Sequence, residues 1–164
     1  MKFRAMLIGW CAACCVMLGT SSVVHAQTGP TLDLATFAQS SVDVGAGAHR
    51  QHFDVWIAAS PEQQTQGLMF VRDLPASRGM LFSEPEPRPT SFWMKNTYIE
   101  LDMLFIGPDH RVAKIAARAP PLSLTTINSD GPVIAVLEIK GGEAERRGIH
   151  VGDAVSWRPS APAR

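Results

Sequence analysis

The chain has 164 residues, with 15 Lys and Arg against 15 Asp and Glu, a hydrophobic fraction of 46% and a charged fraction of only 18%. That length suits one domain, and a formally neutral chain with no basic run lacks the electrostatic footprint of a nucleic-acid binder. The composition is also unlike that of an acidic, low-complexity disordered tail.

All three cysteines and three of the seven methionines fall in the first 18 residues. Lys2 and Arg4 form a basic start, and the uncharged apolar run Ala5 to Leu18 is too short for a comfortable membrane span. Val24-His25-Ala26 then offers small residues at the two positions that signal peptidase reads. These features predict an export signal over residues 1–26, cut before Gln27, with a periplasmic or extracellular product. No stop-transfer charges follow the run, so no membrane span is expected in the mature chain. Cys11, Cys14 and Cys15 follow no lipobox pattern, and the Cys11/Cys14 spacing reads as apolar filler of the signal. Removing the signal leaves 13 basic and 15 acidic residues, a net charge of −2, and no cysteine. Disulfides, thiol chemistry and zinc-thiolate sites are thereby excluded from the mature chain, which must be held by its own core.

Residues 27–50, rich in Gly, Ser, Ala and Thr, read as a flexible leader that is partly ordered at best, with a strand near Leu32 to Phe37. From His52 the pattern sharpens, because Phe53, Val55 and Ile57 alternate with His52, Asp54 and Trp56 at the period of a strand. Ser60-Pro61-Glu62-Gln63 then carries an N-cap, a first-position proline and a capping-box Gln, which starts a short helix that Gly67 can end. Further strands are expected at Met80 to Phe82, Ser91 to Met94, Leu101 to Ile106, Val112 to Ala117 and Val133 to Ile139, with Pro85, Pro87 and Pro89 stiffening one connection. Gly107-Pro108-Asp109-His110 reads as a hairpin turn, Glu143 to Arg147 as one helical turn closed by Gly148, and Ala154 to Trp157 as a last strand. The expected fold is mainly β, a compact antiparallel sandwich or jelly-roll-like barrel with one or two short helices, over residues 51–158, followed by a short tail at 159–164.

Gly67-Leu68-Met69-Phe70, Arg72, Leu74, Arg78-Gly79-Met80-Leu81-Phe82, Ser91-Phe92-Trp93-Met94-Lys95-Asn96-Thr97 and Leu101-Asp102-Met103-Leu104-Phe105-Ile106 resemble the signature of the domain of unknown function 192 (DUF192) family. Val136-Leu137-Glu138-Ile139, Gly141-Gly142, Gly148-Ile149 and Gly152-Asp153 resemble its closing segment. The resemblance spans roughly His52 to Trp157 and implies an often exported, jelly-roll-like domain of bacteria and archaea with no established molecular function. Glu100 stands where that pattern commonly has Pro, and His110 where it commonly has a turn Gly.

Candidate site residues come from breaks in the apolar pattern. Alternation over Ser91 to Thr97 directs Phe92, Met94 and Asn96 to one face and Trp93, Lys95 and Thr97 to the other, so that Trp93 and Lys95 can form a ligand platform rimmed by Asn96 and Thr97. Asp102, between Leu101 and Met103, needs a polar cleft, backbone N–H donors or a cation, and Lys95 or Arg72 is the expected partner. Glu138, between Leu137 and Ile139, poses the same question.

Three functional readings follow. The first, which demands least, is a non-catalytic envelope binding or accessory module for a sugar or peptide, without cofactor. A second is a carboxylate-based hydrolase or lyase using Asp102 and Glu138 with Lys95. A third is a copper(I) carrier built on Met69, Met80, Met94 and Met103, assisted by His52, His110 and His150. Against the third, the methionines lack tight spacing and sit beside Leu, Phe or Trp, so they read as core and no metal site is expected.

Overall fold

A computed structural model of the chain describes residues 31–158; the expected signal, its cysteines and the 159–164 tail lie outside them. The fold is mainly β. A seven-stranded sheet curls into a half-barrel, and the strands involved are β1 (Ala38–Val44), β2 (Gln51–Ala58), β3 (Arg78–Arg88), β5 (Leu101–Ile106), β6 (Val112–Ala119), β8 (Val133–Lys140) and β9 (Val155–Trp157). Their spatial order is β6-β5-β8-β3-β2-β1-β9. A bridge between Arg111 and Ala154 joins the two outermost strands at one end of the curl. A separate ribbon pairs β4 (Ser91–Phe92) with β7 (Ile127–Asn128). All neighbours in the large sheet are antiparallel except β2 and β3, which run parallel because α1 (Pro61–Gln66) and its following loop cross between them.

Local chemistry accounts for these elements. In α1, Ser60 accepts from the Gln63 amide while Gln63 reaches back to the Ser60 amide, completing the expected capping box, and Gly67 closes the helix at φ 49°. The turn between β5 and β6 places His110 at φ 58°, a left-handed conformation that glycine adopts most readily. A short α2 (Glu143–Arg146) follows β8.

Three expectations need correction. The supposed leader contains β1, whose edge-like AQSSVDV pattern buries only Val42 and Val44 and so carries little apolar signal. Residues 34–36 form a 3-10 turn rather than a strand, and Gln66 ties the adjoining Leu32 backbone to α1. Finally, Pro85 and Pro87 belong to β3 itself, in the stretch where its pairing with β8 slips between Ser83 and Arg88.

The sheet is buried on both faces. One apolar cluster draws Val42, Phe53, Leu81, Leu104, Val112, Leu137 and Val155 from all seven strands, which defines the concave interior. The other, with Met80, Phe82, Met103, Phe105 and Val136, lies on the convex face beneath Leu68, Leu74 and Met94 from the loops. Leu101–Ile106 is therefore buried along its whole length.

Candidate functional site

The loops covering the convex face leave a cleft of about 400 Å³. The α1 helix and the Gly67–Met69 turn form one wall, the far half of β3 with Thr90 to Trp93 forms another, and Glu138 of β8 lies on the floor. Register places Glu138 directly between Met80 of β3 and Met103 of β5, so its side chain rises from an apolar row. It is 4% exposed, and burial alone pushes its pKa up to about 8, with no hydrogen bond or charge among the described residues acting on it. At neutral pH the floor therefore carries a protonated carboxyl able to donate and to accept.

Trp93 stands at the mouth, 48% exposed, with Lys95 Nζ 5.1 Å above its ring. Phe92 packs edge-on against Phe82 and Phe105 and fixes the start of this segment. The expected alternation holds through Met94, which is fully buried, and then fails: Asn96 adopts φ 56° and the chain turns, so Thr97 is buried and lines the cleft rather than facing outward with Lys95. Asn96 directs its amide towards the Met69 sulfur at 3.9 Å.

The rim is held by backbone bonds between loops. Phe70 N donates to Asn96 O at 2.8 Å, Met94 N to Ser123 O at 2.9 Å and Leu122 N to Thr97 O at 3.0 Å. Phe70 and Leu122 sit at φ 67° and 61°, values that bulky residues rarely adopt. Both side chains are exposed, as are Tyr98 and Leu124.

Asp102 does not belong to this site. Strand alternation puts it on the concave face, opposite to Glu138, so the two carboxyls share no cleft and the proposed acid–base pair is not assembled. Nor does it pair with Lys95 or Arg72. Its carboxylate accepts three backbone N–H groups, from Arg118 at 2.8 Å, Gly142 at 2.9 Å and Ala144 at 2.8 Å, and thereby fastens the start of α2 to the sheet. Backbone donors satisfy a buried carboxylate without a second long side chain, which explains why the expected cation is unnecessary. Arg72 lies over the Tyr98 ring at 4.7 Å instead.

Of the sequence candidates, Trp93, Thr97 and Glu138 line the cleft, Lys95 and Asn96 border it, and Asp102 and Arg72 act elsewhere. The sequence reading missed Glu84, which lines the cleft with its side chain 8% exposed and is paired with Arg88. Its only sequence signal was an acid, with Glu86 two residues on, at the edge of a proline-rich stretch. Met80, Met94 and Met103 are fully buried in the convex-face core, and Met69 alone of the four lines the cleft. Among the described residues no three His, Cys, Asp or Glu side chains group as metal ligands, and no helix is long and apolar enough to cross a membrane.

A curled mainly-β domain with a loop-covered convex face and an acid-floored, Trp-rimmed cleft is the class of protein that this geometry defines. The chain belongs to the DUF192 family, described as uncharacterized ACR, whose model matches residues 42–157. It is similar to a solved structure from Sinorhizobium meliloti 1021, described as a candidate transcription regulator, at 38% identity and a TM-score of 0.71, covering 74% of this chain and 95% of that one. It is also similar to a protein of unknown function from Novosphingobium aromaticivorans DSM 12444, at 44% identity and a TM-score of 0.68, covering 71% of this chain and 84% of the other. No curated protein matches the chain.

Proposed function

We propose that this DUF192 domain is an exported, non-catalytic binding or accessory module of the cell envelope, and that its ligand, a sugar or a short peptide segment, occupies the cleft beneath Trp93. The observation that carries this reading is the half-exposed Trp93 ring at the mouth of a cleft whose floor holds Glu138 without a partner among the described residues. A large exposed ring offers an apolar stacking surface, and a carboxyl that opens into the cleft without a protein partner is free to bond a ligand. Thr90, Ser91, Thr97 and Gln64 add neutral polar groups along the walls, the mix of apolar and polar lining that small-molecule clefts use. The carboxylate-hydrolase reading loses its pair, since Asp102 is bound to backbone on the other face. The other carboxylate lining the cleft, Glu84, is engaged by Arg88.

Trp93 fluorescence tests the reading. A saturable change on titration with envelope-type saccharides or peptides, abolished in a folded Trp93→Ala protein, supports it. Loss of folding in that variant would make the ring a core element and remove the site. Export is tested separately: mass spectrometry of the extracytoplasmic product should show a chain beginning at Gln27, whereas an intact Met1 form there would contradict the signal reading.

A further inference from the structure

We infer that Glu138 is the anchor of the cleft and that its ligand presents an uncharged hydrogen-bonding group, the hydroxyl or acetamido group of a sugar, to the floor while an apolar sugar face rests on Trp93. The inference rests on the binding reading above and adds the chemistry of the ligand. Glu138 is a polar side chain more than nine-tenths buried, without a partner among the described residues, and it lines the cleft. A fold that needed only packing at this position would be served by a third apolar residue between Met80 and Met103, yet the carboxyl here opens into the cleft. A ligand entering the cleft can replace solvent at this carboxyl with a directed hydrogen bond.

Three features select a neutral ligand over a cation. First, the cationic positions around the cleft are filled: Lys95 lies over Trp93, and Arg88 on the β3 wall is paired with Glu84. An incoming ammonium would meet both. Second, the groups packed against Glu138 bring no counter-charge. Met80 and Met103 flank it, the α1 wall contributes Gln64, Thr65, Gln66 and Met69, and Lys114, which packs on Phe105 further along the convex face, is paired with Asp130. Forming a fresh ion pair in this apolar floor would carry the full desolvation penalty of two charges. Third, a protonated carboxyl offers one donor and one acceptor side by side, the complement of a hydroxyl or an amide.

The consequence is a binding site that weakens in alkali. Once Glu138 loses its proton it can no longer donate, and a charge is left buried against the ligand. With a carboxyl pKa near 8, about one site in ten keeps its proton at about pH 9, which sets an affinity loss of roughly tenfold relative to about pH 6. The experiment follows Trp93 fluorescence, with calorimetry as a second readout, during titration with a trisaccharide of N-acetylglucosamine. The wild type, Glu138→Gln, Glu138→Ala and Trp93→Ala proteins are compared at both pH values, with circular dichroism confirming that each is folded. Glutamine reproduces the donor and acceptor of the neutral acid but cannot ionise. The inference predicts that Glu138→Gln binds within about threefold of wild type at the lower pH and keeps that affinity at the higher, whereas wild type weakens roughly tenfold and Glu138→Ala loses binding at both. Loss of binding in folded Glu138→Gln would overturn it, as would binding by Glu138→Ala equal to wild type. In the latter case continued dependence on Trp93 would leave the cleft reading standing while the anchor fails. A wild type that gives no saturable response at either pH would overturn the sugar assignment, and a positive response to short peptides would then keep the cleft reading alone.

Discussion

Glu138 makes the stability of the domain depend on pH in an unusual direction. Its folded-state pKa, near 8, lies above the ordinary value of 4.5 because burial disfavours the charge. Between those values the folded protein keeps a proton that the unfolded chain releases, so stability is fully present below about pH 4.5 and is lost as pH rises through the window to about 8. At about 1.4 kcal/mol for each pH unit, the loss amounts to about 5 kcal/mol across the window and about 3 kcal/mol at neutral pH. Glu138→Gln removes the titration while keeping size and hydrogen-bonding shape, so the variant should match wild type near the acid end and exceed it by about 5 kcal/mol at about pH 9. Taking a urea m-value of about 2 kcal/mol/M, the two midpoints should diverge by about 2–3 M. Urea unfolding followed by circular dichroism at steps of pH measures the difference directly, because every other group titrates alike in both proteins. Midpoints that stay parallel from acid to alkali would refute the buried, unpartnered state of Glu138.

Other predictions concern groups with separate roles. Asp102→Ala should destabilise the domain by about 3 kcal/mol, since one buried and two half-buried N–H groups lose a charged acceptor, while Lys95→Ala and Arg72→Ala should each cost no more than about 1 kcal/mol; urea midpoints of equal size for all three would restore the ion-pair model. Gly79→Ala should cost about 3 kcal/mol, because its Cβ would meet the Glu138 carbonyl oxygen at 2.5 Å and Ile139 Cγ2 at 3.2 Å. Gly131→Ala, with nothing within 4 Å, is the matched control and should be near neutral in thermal melts. Trp93→Ala should change stability by about 0.5 kcal/mol or less, as expected for a half-exposed side chain, while removing the ligand response.

Much of this architecture is legible from local chemistry. The Ser60 capping box, the alternation of Phe53, Val55 and Ile57, and the Gly107 to His110 turn each involve neighbours in sequence, and each forms as expected. The strand at Ala38–Val44 is not legible in this way. It sits next to the edge strand β9 and buries two valines, so its stability comes from hydrogen bonds to β2 and β9 rather than from an apolar period. The extension of β3 through two prolines is hidden for a related reason, since it lies where ladder pairing with β8 is already interrupted.

The site shows the same division. Asp102 and Glu138 look alike in sequence, each a lone acid inside an apolar strand. They differ because the β5–β8 register sets Asp102 opposite Ile139 and Glu138 opposite Met103, which sends the two carboxyls to opposite faces of one sheet. One face brings the amides of the α2 start within reach, and the other brings only methionines and an open cleft. Trp93 and Lys95 were visible as a pair because they are two residues apart. Glu84 and Gln64 enter the same cleft from distant segments, and no spacing rule connects them to Trp93.

On the binding reading proposed above, the domain holds its ligand in the cleft between Trp93 and Glu138. A crystal structure of residues 27–164 soaked with the N-acetylglucosamine trisaccharide tests it most directly. Density is expected for a sugar ring stacked on Trp93, with one hydroxyl or acetamido group within hydrogen-bond distance of the Glu138 carboxyl. Sugar density that avoids this cleft and settles elsewhere on the domain, or a cleft left empty by a ligand shown to bind in solution, would contradict it.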